Sequence, residues 1–204
     1  MHTTLLLKGL AMGFSIAAPV GPIGILCIRR TLAEGRAAGL VSGLGAATAD
    51  AIYGCIAGFG LTFVSSFLVR QQVWIRLIGG MFLCYLGVKT LLAQPAGQAA
   101  SAERKGLIAA FASTLLLTLA NPISILSFAA VFAGLGPAGS VERYGTVGVM
   151  VLGIFLGSAL WWLTLSTGVG VFRAKFDPHA LQWINRISGV IITGFGLFVF
   201  QSAL

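Results

Sequence analysis

The chain has 204 residues, 57% of them hydrophobic and only 9% charged, with a mean hydropathy of +0.97. A soluble domain carries roughly 25% charged residues, so the composition excludes an ordinary globular domain and reads as an integral membrane protein. The formal charge of +8 does not read as a nucleic-acid surface, because the basic residues stand singly or in pairs at the ends of apolar runs, where cytoplasmic loops and anionic headgroups account for them.

Six apolar spans follow in chain order, at about 3–28, 38–68, 73–93, 107–135, 144–172 and 181–203. Each exceeds the roughly 20 residues a helix needs to cross the hydrocarbon core. No basic n-region precedes the first run, which also continues too far for a cleavable signal peptide. Inside it lies Ala18-Pro19-Val20-Gly21-Pro22-Ile23-Gly24-Ile25-Leu26. Proline has no N–H for the helical ladder and its ring clashes with the preceding turn, so an unbroken helix is not expected here. Irregular backbone at membrane depth survives only where it is buried in protein or lines a wet cavity.

The second span carries Asp50, the one acidic residue deep in an apolar run, roughly 20 Å along a helix counted from Arg36. An unpaired charge there costs several kcal/mol, so the carboxyl is protonated, partnered or facing water. One reading is structural, a hydrogen bond to an opened helix end. The other is functional, a proton carrier or a partner for a substrate ammonium. The cysteines Cys27, Cys55 and Cys84 sit in apolar runs without metal-ligand spacing and read as small hydrophobes. Gly9/Gly13, Gly39/Gly43, Gly54/Gly58 and Gly153/Gly157 are spaced for close helix approach.

After the polar stretch 94–106, read as a cytoplasmic linker, the first interruption returns. Thr118-Leu119-Ala120-Asn121-Pro122-Ile123-Ser124-Ile125-Leu126 aligns with it through P-I-(G/S)-I-L. Trp74-Ile75-Arg76-Leu77-Ile78-Gly79-Gly80 likewise matches Trp183-Ile184-Asn185-Arg186-Ile187-Ser188-Gly189, and Gly87 matches Gly196 at the same offset. Trp161 and Trp162 fall near the repeat positions of Ile52 and Tyr53, as core, interface or path-lining aromatics. The chain thus divides into a repeat at 1–93 and another at 107–204. Three spans per repeat is an odd number, so the halves insert with opposite orientation. The expected fold is an all-α membrane protein of six helices in two inverted three-helix repeats, the first and fourth broken near the membrane centre. Interrupted helices at matched positions point to a transporter's binding site.

Pro22 and Pro122 each suit the first position of a half-helix, whose free N–H groups and dipole favour a carboxylate. A kink without function is the plainer reading of either proline alone. The candidate translocation residues are therefore Pro19, Gly21, Pro22, Asp50, Asn121 and Pro122. Nine basic residues in the connections after spans one, three and five, against four opposite, place both termini in the periplasm. No phosphate-binding loop, metal-ligand cluster or nucleophile–base set is visible, so neither a cofactor nor a metal nor an enzyme activity is expected.

These residues resemble the LysE/RhtB family of bacterial amino-acid exporters over nearly the whole length. The matching features are Gly9-x3-Gly13-x5-Pro19-x-Gly-Pro22, Gly43 to Gly54 around Asp50, Asn121-Pro122, and the spacings Gly80/Gly87 and Gly189/Gly196. Many members have P-G-P where this chain has P-V-G-P, which leaves the substrate subclass open. The resemblance implies an inner-membrane exporter of amino acids or close derivatives, coupled to the proton gradient or membrane potential, with lipid as its surroundings; a homodimer is compatible with it. A zwitterion would set its carboxylate at the half-helix starts and its ammonium near Asp50 or the carbonyls freed before the breaks. A small-ion or metabolite channel and, less economically, a membrane enzyme or assembly factor are the alternatives.

Overall fold

The computed structural model describes residues 2–19, 21–59, 70–92, 104–121, 124, 128, 141–172 and 178–201. All regular structure among them is helical: α1 (His2–Ala17), α2 (Pro22–Glu34), α3 (Arg36–Gly58), α4 (Gln72–Leu91), α5 (Arg104–Leu119), α6 (Val141–Phe172) and α7 (Pro178–Gln201). Three stretches, Arg36–Gly58, Gly145–Phe172 and His179–Gln201, are each long and apolar enough to cross a membrane, and α1 and α2 qualify together as a pair bent by 82°.

The bend falls at the proline-glycine stretch. Helix α1 ends at Ala17, and α2 restarts with Pro22 as its first residue and Gly21 before it, with no side-chain cap. The ladder resumes when the Ile25 N–H bonds the Gly21 carbonyl at 3.0 Å. In the second half, α5 stops at Leu119, and the Asn121 N–H turns back to the Thr118 carbonyl at 3.1 Å. Pro122 lies outside the described residues.

One expectation is corrected between the first two spans. The sequence reading ends a span at residue 28, starts the next at 38, and leaves Arg29, Arg30 and Arg36 in a cytoplasmic connection. The connection is a single residue, Gly35, at φ 105°. Helix α2 runs through both arginines to Glu34, and α3 begins at Arg36. The positive φ is open to glycine at little cost, so two helices meet at one residue. Arg30, 8% exposed, is buried rather than solvated. Helix α5 likewise begins at Arg104, within the stretch read as linker.

Large apolar side chains cover the outside of the bundle, and the inside mixes apolar residues such as Leu26, Ile154 and Ile192 with small and polar ones. Ile78, Met81, Tyr85, Val88 and Leu92 on α4, and Trp183, Ile187, Val190 and Phe198 on α7, are exposed, whereas Ser42, Thr114, Ser158, Ser166 and Asn185 are buried. This is the distribution expected when the solvent is lipid, and the helices then associate through close packing and polar contacts. Helix α1 packs chiefly on α6, α4 on α7, and α3 on both α5 and α6. The first of these interfaces depends on the predicted glycines. A methyl on Gly13 would lie 2.0 Å from the Ile154 carbonyl oxygen, and one on Gly157 2.0 Å from that of Leu10. The α4–α7 interface is reciprocal: Gly80 lies against Gly196, and Gly87 against Gly189.

Candidate functional site

Both interruptions face the same small cavity. Pro19, Gly21 and Pro22 from the first break, Asn121 from the second and Asp50 from α3 all line it, together with Trp162 of α6. Five of the six residues singled out in the sequence are thus brought together. The cavity measures about 70 Å3. A single water needs at least about 10–15 Å3 and takes about 30 Å3 in the liquid, so the cavity has room for a few small polar groups rather than a whole side chain.

Its floor is the start of α2. Pro22 carries no N–H, and Ile23 and Gly24, which also line the cavity, occupy helix positions whose N–H groups have no intrahelical acceptor. Gly21 supplies no side-chain cap. A methyl added at Gly21 would meet nothing within 4 Å, so this glycine keeps space open rather than permitting a helix contact.

Asp50 is 4% exposed. Its Oδ2 accepts a hydrogen bond from the Ser158 hydroxyl at 2.8 Å, across the α3–α6 contact. The partner is therefore a hydroxyl on a facing helix rather than an opened helix end. Three residues along α3, the Tyr53 hydroxyl donates to the Leu119 carbonyl, one of the groups freed where α5 stops. The Tyr53 ring stacks on Phe128 at 5.8 Å between centroids. Asn121 Nδ2 donates to the Ser124 hydroxyl at 3.1 Å, bridging the residues on either side of the second break.

Trp162 was open to a plain core reading, and it is indeed 4% exposed within a cluster containing Ala17, Cys27, Ala46 and Ala47. Its indole Nε1, however, is buried with no hydrogen-bond partner among the described residues. A buried donor left unmade is costly, and this residue lines a polar cavity. Gly43 seats the ring: a methyl there would lie 2.3 Å from the Trp162 Cβ. The cavity is therefore lined by a carboxylate, by the start of α2 and by the Trp162 side chain.

Arg30, by contrast, is a residue that sequence reasoning misplaced. Its Nη1 donates to the Ser42 hydroxyl at 2.8 Å, the Thr114 hydroxyl at 2.9 Å and the Ala110 carbonyl at 3.0 Å, and Nη2 donates to the Ser113 hydroxyl at 2.8 Å. One guanidinium thereby ties α2 to α3 and α5. No compositional signal separates such a residue from a loop arginine; only the hydroxyl-bearing positions 42, 113 and 114 hint at acceptors inside the bundle.

The comparisons with known proteins agree on one family. The model of the LysE type translocator matches residues 14–202. A Bacillus subtilis protein, YcgF, whose name provisionally assigns it to amino acid efflux, is 29% identical over 94% of this chain and 93% of its own. The threonine efflux protein of Escherichia coli K12 is 24% identical over 89% of this chain and 90% of its own, and an uncharacterized membrane protein of the same organism, YahN, is 28% identical over 83% and 77%. The chain belongs to the LysE type translocator family; it is a membrane transporter and not an enzyme.

Proposed function

We propose that this translocator exports amino acids or close derivatives from the cytoplasm, and that the cavity between the two chain breaks receives the zwitterionic head of the substrate. The observation that carries this reading is the gathering of Asp50, the start of α2 and Trp162, whose buried Nε1 has no partner among the described residues, around one small space. A carboxylate at the Ile23 and Gly24 N–H groups gains from the helix dipole and from the indole donor. An ammonium at Asp50 compensates a buried carboxylate. A cavity of this size suits the head common to all amino acids better than any one side chain, so side-chain selection would fall to the surrounding walls. The efflux names of the relatives, threonine among them, support a small polar substrate class.

Six spans in two inverted repeats are the architecture we infer for this activity. The reciprocal glycine contacts support it: exchanging each residue for its repeat counterpart turns the Gly80–Gly196 pair into Gly189–Gly87, and both pairs are present. The packing of α1 on α6 is mirrored in the same way by that of α5 on α3. Rocking of one repeat against the other would then alternate access, in the inner membrane, with termini in the periplasm and export driven by the proton gradient or membrane potential. The test is uptake of labelled amino acids into inverted vesicles with an imposed pH gradient, paired with counterflow in proteoliposomes. Gradient-dependent uptake and counterflow are expected; flux without counterflow would mark a channel and overturn the carrier reading.

A further inference from the structure

A second, larger cavity lies away from the chain breaks. It measures about 690 Å3 and is walled by α2, α4 and α5, within the size range of ligand sites. Its charged wall carries Arg29, Arg30 and Lys89 against a single acid, Glu34. Glu34 is already engaged, lying 3.6 Å from Arg29. Arg29 is held in place by the buried Asn185, whose Oδ1 accepts from Nε at 3.1 Å. Arg30 hydrogen-bonds only to neutral groups among the described residues, and the carboxylate near enough to act on its charge, Glu34, is shared with Arg29. Lys89 is exposed, its ammonium 5.9 Å from the Tyr85 ring centroid. The site therefore calls for an anion.

The other wall says which kind. Tyr85, Val88 and Leu92 line the cavity yet are 59%, 46% and 77% exposed. They continue outward as a stripe with Ile78 and Met81, which are 61% and 56% exposed. Positions 78, 81, 85, 88 and 92 recur at intervals of three and four, so they share one face of α4. A soluble anion would have no use for that stripe; an anion on an acyl chain would.

We propose that the cavity binds the phosphate-bearing headgroup of an anionic phospholipid, with the acyl chain along the Ile78–Met81–Tyr85–Val88–Leu92 face of α4. Basic pockets between membrane helices bind such headgroups, and each Lys or Arg contributes about 1 kcal/mol, or about fivefold in affinity. The site stands apart from the cavity at the chain breaks and does not rest on the export reading.

Native mass spectrometry of the full-length protein in detergent, with phosphatidylglycerol and phosphatidylcholine in equal amounts, tests it. Wild type should retain phosphatidylglycerol preferentially. Lys89→Gln removes an exposed cation without touching the core. Gly106→Glu places a carboxylate on the cavity wall, where a side chain meets nothing within 4 Å. Each should weaken the preference about fivefold or more, while Arg70→Gln, an exposed cation that does not line the cavity, should leave it unchanged. Absence of the preference in wild type, or its persistence in either cavity variant, overturns the proposal. So does equal competition by free glycerol phosphate, which would make the site one for a soluble anion.

Discussion

Replacing Trp162 with Phe isolates the role of one atom. The ring stays aromatic and keeps most of its contact with Ala17, Cys27, Ala46 and Ala47, while the Nε1 donor disappears. Because Nε1 has no partner among the described residues, the change breaks no hydrogen bond in the unloaded protein. Loss of an unsatisfied buried donor relieves about 1–3 kcal/mol, and the void left by the smaller ring costs a comparable amount, since full truncation of a buried Trp to Ala costs about 3–5 kcal/mol. Stability should therefore move by less than about 2 kcal/mol in either direction. With substrate bound, the missing bond is one to a carboxylate, worth about 1.5–3 kcal/mol, or roughly 10- to 150-fold in affinity. Half-saturation for an exported amino acid, measured by uptake into inverted vesicles, should rise by that factor in Trp162→Phe. The amide of the same amino acid, which lacks the carboxylate, should lose little. A double-mutant comparison of this kind cancels general packing effects. Equal loss for acid and amide, or half-saturation within about twofold of wild type, would refute a carboxylate at this indole.

At Asp50, substitution by Asn keeps the shape and can still accept from Ser158, so thermal stability should change by less than about 1 kcal/mol while gradient-driven export collapses. A near-normal transport rate at matched expression would end the ionic role of this residue. Gly21→Ala enters open space on a backbone of φ −100° and should leave the melting temperature unmoved, yet cut export at least about tenfold (about 1.4 kcal/mol) by filling the cavity; wild-type export would exclude Gly21 from the path. Gly13→Ala forces a methyl to 2.0 Å from the Ile154 carbonyl and should destabilise by about 1–3 kcal/mol or more in a detergent melt, whereas Gly148→Ala, with nothing within 4 Å, should be neutral. Arg30→Lys retains the charge but loses the planar fork that reaches α3 and α5 together, so it should melt lower than Arg30→Met, which removes the buried charge outright.

Much of the candidate site was legible because it rests on residues with strong local consequences. Two prolines and their glycines cannot continue a helix, and α1 does end at Ala17 and α2 does begin at Pro22. Asp50 stands out because a carboxylate in an apolar run has so few ways to exist. Gly9 and Gly13 announce a close crossing, although their partners on α6 are a tertiary fact. By contrast, Gly54 has the same spacing to Gly58, and a methyl at Gly54 would sit at an ordinary 3.4 Å from its neighbours. Spacing alone does not distinguish a tight crossing from a loose one. Arg29 and Arg30 were misread because charge at the end of an apolar run resembles a loop. The burial of Arg30 depends on Ser42, Ser113 and Thr114 arriving from other helices, the placing of Arg29 on Asn185, and both on Gly35 being the whole connection. The value of Trp162 was hidden for a similar reason: a tryptophan in a membrane helix becomes a candidate only once its donor is seen to lack an acceptor.

Under the repeat proposed above, the two halves differ in the chemistry they bring to the breaks, and a zwitterionic substrate would account for the difference. In that repeat, the offset that relates Trp74 to Trp183 makes Ala159 the counterpart of Asp50 and Trp162 that of Tyr53, whereas the two chain breaks are related by a shorter offset. A strict two-fold would present an acid to each break and offer two equal half-sites to a substrate whose ends differ. Instead, the acid comes from the first half alone. Tyr53 spends its hydroxyl on the Leu119 carbonyl at the second break, whereas Trp162, its counterpart, lines the cavity beside the first break with its donor uncommitted. The Leu119 carbonyl at the second break thus has a partner within the protein, while the Ile23 and Gly24 N–H groups at the start of α2 have no intrahelical acceptor. On the proposed reading, divergence of this kind would turn a symmetric pair of helix breaks into one polar site with a negative and a positive side, as a substrate carrying both an ammonium and a carboxylate requires.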